Sequence, residues 1–135
     1  MKLSIGQQAT RELKVTEEMV CSYAEITGDR NPLHFDEEFT ARTRFKRLLA
    51  QGGITTGLLH ALVAMDMPGP GSVFVRQSWS FPRPVYIGDT IRAEATVKSV
   101  RERRGMTELA FTVVNQDGET VLEGEATLFQ VEPEE

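Results

Sequence analysis

Gly52-Gly-Ile-Thr-Thr-Gly-Leu-Leu-His-Ala-Leu-Val-Ala-Met-Asp-Met67 is the segment of this chain that says most about its architecture. From Ile54 onward its residues are mostly apolar, and they fall on every side of a helical wheel rather than on one stripe. A helix that is apolar all round is normally buried, and Pro68-Gly-Pro-Gly71 ends this one. The sequence therefore predicts a buried central helix over about 54–67.

The residues that follow this helix change to the two-residue period of β-strands. One face of each predicted strand is formed by Val73, Val75, Gln77, Trp79 and Phe81, then by Ile91, Ala93, Ala95 and Val97, then by Leu109, Phe111 and Val113, with a last strand over 121–131. Gly88-Asp89, Arg104-Gly105 and Asp117-Gly118 mark the turns between them. One buried helix followed by at least four antiparallel strands predicts an α+β fold, in which a curved antiparallel sheet wraps around a long central helix.

The residues before the central helix carry signals for the start and end of two further helices. Thr16 is a predicted N-cap of a helix that runs to Thr27 and ends at Gly28. Asp36 is a predicted N-cap of a short helix through about Thr43, and residues 29–34 are a predicted loop between the two helices. Cys21 lies in the first helix, where we expect it to be a small core residue.

The composition sets limits on the class of protein. The 135 residues are 40% apolar and 26% charged, from which we expect one globular domain over 1–135. A net charge of −5 argues against nucleic acid as the main partner. One cysteine and two separated histidines supply no metal-ligand set, and no nicotinamide or flavin fingerprint is present, so we expect no metal. With no signal peptide and no apolar run long enough to cross a bilayer, we expect a cytoplasmic protein without a membrane partner.

Two residues suited to proton transfer lie five positions apart in Gly28-Asp-Arg-Asn-Pro-Leu-His-Phe-Asp36. A carboxylate, Asp29, and an imidazole, His34, are groups that commonly move protons near neutral pH. Pro32 and Asn31 can stiffen the loop that carries them. Judged by spacing alone, the alternative is an aspartate that caps a turn and a histidine on the surface.

With its flanking residues included, this motif resembles that of the MaoC-like dehydratases, and within them most closely that of the (R)-specific enoyl-CoA hydratases. The matching residues are Tyr23 followed by Gly28-Asp29-Arg30-Asn31-Pro32-Leu33-His34-Phe35-Asp36, then Met67-Pro-Gly-Pro-Gly-Ser72 leading into Phe81, and Pro84-Val-Tyr-Ile-Gly-Asp89. The resemblance runs from about Tyr23 to Val97. It implies the hot-dog fold, usually built as a dimer in which two sheets join edge to edge.

The resemblance also implies an activity, the interconversion of trans-2-enoyl-CoA and (3R)-3-hydroxyacyl-CoA, with no cofactor beyond the coenzyme A of the substrate. Asp29 and His34 would be the catalytic pair that holds and activates a water. In the family a His-Gly pair opens the buried helix, and the glycine amide contacts the thioester carbonyl. Here the pair is Gln51-Gly52, so the glycine is kept and the histidine is replaced. Together with Asn31 and His60, these two residues form the expected oxyanion and substrate-binding group.

Two further features each have two interpretations. His60 lies on the central helix, where it either orients Asp29 or His34 or is a core histidine. A basic cluster in this acidic protein can meet the phosphates of coenzyme A or the acidic helix of an acyl carrier protein, or it can be a solvated charged face. Its residues are Arg42, Arg44, Lys46 and Arg47, with Arg76 and Arg83 as weaker candidates.

Two alternative functions stay open from the sequence. A (3R)-hydroxyacyl-ACP dehydratase of fatty-acid synthesis would use the same residues on a substrate bound to acyl carrier protein. A non-catalytic subunit that binds acyl thioesters belongs to a different class; the presence of both Asp29 and His34 argues against it, and the change at Gln51 keeps it open. In each case we expect an acyl thioester as the small-molecule partner and a second copy of the chain as the protein partner.

Overall fold

A computed structural model of the chain describes residues 2–132. Its α-helices and strands, in chain order, are β1 Gln8–Lys14, α1 Glu17–Thr27, α2 Pro32–Phe35, α3 Glu37–Ala41, α4 Gly52–Met65, β2 Ser72–Ser80, β3 Thr90–Arg101, β4 Met106–Val114 and β5 Thr120–Gln130, with one 3-10 turn at Glu102–Arg104 between β3 and β4. The five strands form one sheet in the order β1-β3-β4-β5-β2, and every neighbouring pair is antiparallel. The predicted α+β architecture, an antiparallel sheet curved around a central helix, is confirmed.

Helix α4 supplies the centre of the hydrophobic core. Its buried residues are Ile54, Thr55, Leu58, Leu59, Leu62 and Val63. They pack against the inward side chains of β3, β4 and β5, among them Ile91, Leu109, Phe111, Leu122 and Leu128. One side of this central helix is nevertheless open in the single chain, where Gly57, His60 and Met65 are exposed. One sheet covers one side of a helix, so the opposite side stays open.

Strand β1 was absent from the sequence prediction. Ala9 and Leu13 pack on the core from this strand, but Arg11 stands between them on the same face and breaks the apolar alternation. The Arg11 guanidinium reaches the end of α4, where Nη1 lies 3.0 Å from Asp66 Oδ2. The pair explains how a charged residue occupies that side of the strand.

Strand β2 contains an irregularity that reverses its predicted faces. Its register with β5 shifts between Phe74 and Arg76. As a result Phe74 packs on the core, whereas Val73 and Val75 are 49% and 56% exposed. The prediction that Trp79 shares one face with the two valines is therefore wrong, because Trp79 packs on the core and the valines do not. An extra residue in one strand inverts the side-chain alternation on one side of it.

The short helices are held by the caps that their sequences provide. Thr16 accepts from the Met19 amide at the start of α1, and Gly28 ends that helix in a left-handed conformation with φ of 82°. Asp36 caps α3, which stops at Ala41, two residues before the predicted end. The predicted loop over 29–34 contains the start of a further helical turn, α2. Cys21 is exposed, so its predicted place in the core is wrong.

No helix within residues 2–132 is both long enough and apolar enough to cross a membrane.

Candidate active site

The segment from Asp29 to His34 is fixed by hydrogen bonds from its own backbone and side chains. The Asp29 amide donates to Thr27 Oγ1 at 3.1 Å, and the Asn31 amide donates to Asp29 Oδ1 at 3.3 Å. Asn31 Oδ1 in turn accepts from the Leu33 amide at 3.0 Å and caps α2. These hydrogen bonds account for the stiffness that the composition of the loop predicted. The side-chain oxygen of Asn31 is used within this turn rather than turned to the pocket described below.

The protonation pattern of His34 follows from its backbone partner. The ring is buried, and its Nδ1 lies 2.7 Å from the carbonyl oxygen of Leu49. Because a carbonyl oxygen can only accept, Nδ1 must carry the proton. In the neutral ring this leaves Nε2 as an unprotonated acceptor. The Leu49 amide also donates to the Leu33 carbonyl at 2.9 Å, so residue 49 fixes both the position and the tautomer of the histidine.

Asp29 faces the free nitrogen of that ring. Asp29 Oδ1 lies 3.9 Å from His34 Nε2, too far for a direct hydrogen bond and suited to one small molecule between them. The Asp29 side chain is 41% exposed, whereas that of His34 is 9% exposed. The two groups predicted to act together are therefore neighbours, one open to solvent and the other enclosed.

The start of α4 presents unpaired backbone donors near this pair. Among residues 2–132, the amides of Gly52 and Gly53 have no hydrogen-bond acceptor. Gln51 stands at the N-cap position, but its side chain makes no capping bond. Its Nε2 instead donates to the Val20 carbonyl of α1 at 3.0 Å, and the residue is 1% exposed. Two free N–H groups and the helix dipole make this end favourable for negative charge.

Tyr23 lies directly over this helix start. A Cβ added at Gly53 would fall 1.8 Å from Tyr23 Oη, so the ring rests against bare backbone. A Cβ added at Gly52 would meet only the edge of Phe81, at 3.5 Å. Gly53 is thus required for close packing between α1 and α4, whereas Gly52 has room beside it.

A pocket of about 300 Å³ brings His34 and Gly52 together. Its apolar wall consists of Phe45, Leu49, Ala50, Phe81, Pro82, Pro84, Val85 and Val121. Thr55, 1% exposed, adds a buried hydroxyl from the first turns of α4. Two guanidinium side chains, Arg44 and Arg83, also line it. The pocket therefore combines a proton-accepting nitrogen, a helix start, apolar surface and positive charge.

The structure divides the predicted basic cluster. Of its four members, Arg44 lines the pocket, while Arg47 lies over the Tyr86 ring with its guanidinium carbon 4.0 Å from the ring centre. Arg42 ends α3, and Lys46 Nζ lies 3.4 Å from the Ala41 carbonyl; neither lines the pocket. Arg83, a weaker candidate from the sequence, does line it. Its Nε lies 3.5 Å from Glu119 Oε2.

His60 lies apart from the catalytic candidates. It is on the exposed side of α4, where its Nε2 pairs with Gln77 Nε2 at 3.2 Å and its ring packs 4.3 Å from that of Phe74. Partial burial lowers the pKa of the His60 imidazole. Within the part of the chain that the structure describes, His60 makes no hydrogen bond to Asp29 or His34, and it is not a core residue. Neither of its two predicted roles matches this position in the single chain.

Sequence reasoning missed several parts of this site. The carbonyls of Leu49 and Val20 carry no sequence signal, because every residue has one. Thr55 had a weak signal, a hydroxyl on an otherwise apolar helix. Tyr23 was part of the motif, but only the structure shows that it packs on Gly53.

Comparison with known proteins adds independent information. The family model described as "MaoC like domain" matches residues 3–119. A 3-hydroxybutyryl-CoA dehydratase of Methylorubrum extorquens is 40% identical over 124 residues, which cover 92% of this chain and 78% of that protein. An (R)-specific enoyl-CoA hydratase of Aeromonas caviae is 34% identical over 93% of this chain and 94% of that protein. The solved (R)-hydratase from A. caviae involved in PHA biosynthesis superposes with a TM-score of 0.90 at 33% identity, over 96% of this chain and 98% of that one.

Proposed function

Because the chain belongs to the MaoC-like family and is a hydro-lyase, we propose that it interconverts trans-2-enoyl-CoA and (3R)-3-hydroxyacyl-CoA, with Asp29 and His34 activating the water. The fold is the hot-dog fold of the structural relatives. The observation that carries the proposal is the placement of His34 Nε2, the ring nitrogen that does not face Leu49, 3.9 Å from Asp29 Oδ1, beside a pocket that also contains the start of α4. The (3R) configuration rests on the relatives named above.

The proton chemistry follows from the hydrogen-bonding character of the pair. With His34 neutral, both Nε2 and Asp29 Oδ1 are acceptors, so a water between them donates one proton to each. Its lone pairs are then free to attack C3 of the enoyl group. One member of the pair takes a proton as the C3–O bond forms, and the pair returns a proton to C2. The sum is one water added across C2=C3, and the reverse sequence is the dehydration.

The amide of Gly52 is our proposed donor to the thioester oxygen. Attack at C3 moves electron density to C2 and onto that oxygen, which becomes enolate-like. A free N–H at a helix start stabilises such charge through a hydrogen bond and through the helix dipole. Gly52 lines the same pocket as His34, which supports this assignment.

Arg44 and Arg83 are the residues we propose to meet the phosphates of the substrate's carrier. Guanidinium groups bind phosphate with charge and paired donors, and both of these line the pocket that contains His34. Coenzyme A and the phosphopantetheine of an acyl carrier protein share this chemistry. Coenzyme A is our choice because both curated relatives named above are called CoA enzymes.

A second copy of the chain is the protein partner that we propose. Strand β2 is an edge of the sheet, so one side of its backbone is unpaired within the chain. Val73 and Val75 of this strand are half exposed, and the open side of α4 adds Met65. Size-exclusion chromatography with light scattering should give twice the mass of the chain, and a monomer at micromolar concentration would contradict this expectation.

The enoyl absorbance of crotonyl-CoA tests the reaction directly. The wild-type chain should remove this absorbance, while Asp29→Asn and His34→Gln should each lower turnover by about 100-fold or more. Asp117→Asn, in the β4–β5 turn, is the matched carboxylate control and should keep wild-type turnover. His60→Gln tests the only other histidine: a loss as large as that of His34→Gln would assign it to the reaction after all.

The outcomes separate the alternative functions. Turnover of crotonyl-carrier protein but not of crotonyl-CoA would favour the carrier-protein dehydratase. Binding of the thioester without turnover of either substrate would favour the non-catalytic subunit. Folded Asp29→Asn and His34→Gln proteins with wild-type rates would refute the mechanism while leaving the reaction in place.

A further inference from the structure

Gln51 carries a buried polar atom that has no partner. The Val20 carbonyl can only accept, so the side-chain nitrogen must face it, and the orientation of the amide is thereby fixed. The other atom, Oε1, is buried and has no hydrogen-bond donor among residues 2–132. It is the one buried side-chain polar atom in that range without a partner. Buried polar groups are nearly always paired, so this exception needs an explanation.

The start of α4 differs from the starts of the other three α-helices. Thr16, Asn31 and Asp36 each accept a hydrogen bond from a first-turn amide of the helix that follows. Gln51 occupies the equivalent position before α4 and makes no such bond. Its longer side chain reaches across to α1 instead, and the amides of Gly52 and Gly53 stay unpaired. Three α-helices of the chain thus begin with a short capping side chain, and α4 begins without one.

We propose that Gln51 is a positioning residue that ties the start of α4, and with it the unpaired Gly52 amide, to helix α1. This inference rests on the proposed function, in which the Gly52 amide stabilises the thioester oxygen. By bonding to Val20, the side chain is held away from the first-turn amides. The same bond ties the start of α4 to helix α1, which leads directly into Asp29. The unpaired Oε1 is the energetic cost of this arrangement.

Position 51 also joins two parts of the site in sequence. Leu49 fixes the His34 ring through its carbonyl, and three residues later the Gly52 amide begins the helix. A shift of the backbone at residue 51 therefore moves the proposed oxyanion donor relative to both members of the catalytic pair. Errors of about 1 Å in such alignment lower rates by about 100-fold.

Replacement of Gln51 by a capping residue gives a test in which rate and stability change in opposite directions. In Gln51→Ser the short hydroxyl can accept from the Gly53 amide but cannot reach Val20, and the Ile54 amide already donates to the carbonyl of residue 51. We expect turnover of crotonyl-CoA to fall by about 100-fold, because the Gly52 amide remains free but loses the bond to α1 that positions it. The melting temperature should stay equal or rise, because a cap has been gained. The pH–rate profile should keep its shape, since Asp29 and His34 are unchanged.

Amide hydrogen exchange provides a measurement that does not depend on catalysis. In the wild type the Gly52 and Gly53 amides should exchange rapidly, and in Gln51→Ser the capped amide should become protected. Gln51→His, whose ring can donate to the Val20 carbonyl, should keep turnover within about tenfold of wild type, in line with the smaller share expected for one positioning contact. Gln51→Met, close in volume but without polar atoms, should leave both amides rapidly exchanging.

The possible results are distinguishable. A folded wild-type chain without hydratase activity would refute the proposed function, and with it the role that depends on it. An active wild type together with an equally active Gln51→Ser would refute only the role of Gln51. Loss of turnover in Gln51→Ser with a lower melting temperature and no new amide protection would show that Gln51 is merely structural, which also overturns the proposal.

Discussion

Gly53→Ala is a substitution whose effect can be worked out from the packing of Tyr23. The added methyl carbon would lie 1.8 Å from Tyr23 Oη and 2.3 Å from Cζ, whereas ordinary van der Waals contact begins at 3.4 Å. The tyrosine must therefore retreat by roughly 1.6 Å. The ring belongs to α1, whose C-terminal end leads into Asp29. A movement of the ring thus acts on the spacing between α1 and α4.

The change in the free energy of unfolding of Gly53→Ala is the difference between two opposing effects. Overpacking at a close contact costs about 1–3 kcal/mol, and replacing glycine by alanine within a helix returns about 0.5–1 kcal/mol. We expect a net loss of about 1–2 kcal/mol in the free energy of unfolding, measured by urea denaturation. Turnover of crotonyl-CoA by the folded variant should fall by about 100-fold, because a displacement on the order of 1 Å misaligns the reacting groups.

Gly57→Ala is the matched control on the same helix. Nothing lies within 4 Å of a Cβ at Gly57, so only the gain in helix propensity remains. Stability should rise by about 0.5–1 kcal/mol with turnover unchanged. If Gly53→Ala were as stable and as active as wild type, the close contact of Tyr23 with α4 and the reasoning built on it would be refuted. A destabilised Gly57→Ala would instead show that another chain covers the open side of α4.

One further substitution and one titration test other parts of the structure. Gly124→Ala should destabilise the protein by more than about 2 kcal/mol in urea, because its Cβ would lie 2.0 Å from the Ser78 carbonyl across the β5–β2 pair; unchanged stability would contradict that register. His60 should titrate in NMR below 6.5, since burial lowers its pKa. The unfolded chain then binds this proton at a higher pH than the folded chain does, so His60 should make stability decline as the pH falls below about 6.5. A His60 pKa at or above that value would show that the ring is not packed against Phe74 as described.

The parts of the fold that the sequence predicted are those specified by local interactions. Thr16 and Gly28 begin and end α1 through bonds made within the same helix. Likewise, the Asn115 side chain accepts from the Asp117 and Glu119 amides and closes the β4–β5 turn within five residues. Such signals depend on neighbours in the chain, and for this reason they can be interpreted without the fold.

The errors arose where a distant residue changes the meaning of a pattern. Arg11 interrupts the apolar alternation of β1; the strand forms through its pairing with β3, and the ion pair of Arg11 with Asp66, 55 positions away, accommodates the charge on that face. An extra residue beside Phe74 reverses the faces of β2, which no periodicity reveals in advance. In the site, Asp29, His34 and Gly52 were named from the motif and its resemblance. Which basic residues reach the pocket depended on tertiary contacts, and the structure selects Arg44 and Arg83.

The backbone contact of His34 has a consequence for how this protein tolerates sequence change. The group that determines which ring nitrogen holds the proton is the carbonyl of residue 49, not a side chain. Every amino acid supplies a carbonyl, so a point mutation at this codon alters packing but cannot delete the acceptor. A carboxylate in the same place could be lost by a single nucleotide change. Substitutions at position 49 therefore leave the tautomer of His34 unchanged, provided that the backbone carbonyl of residue 49 stays beside the ring.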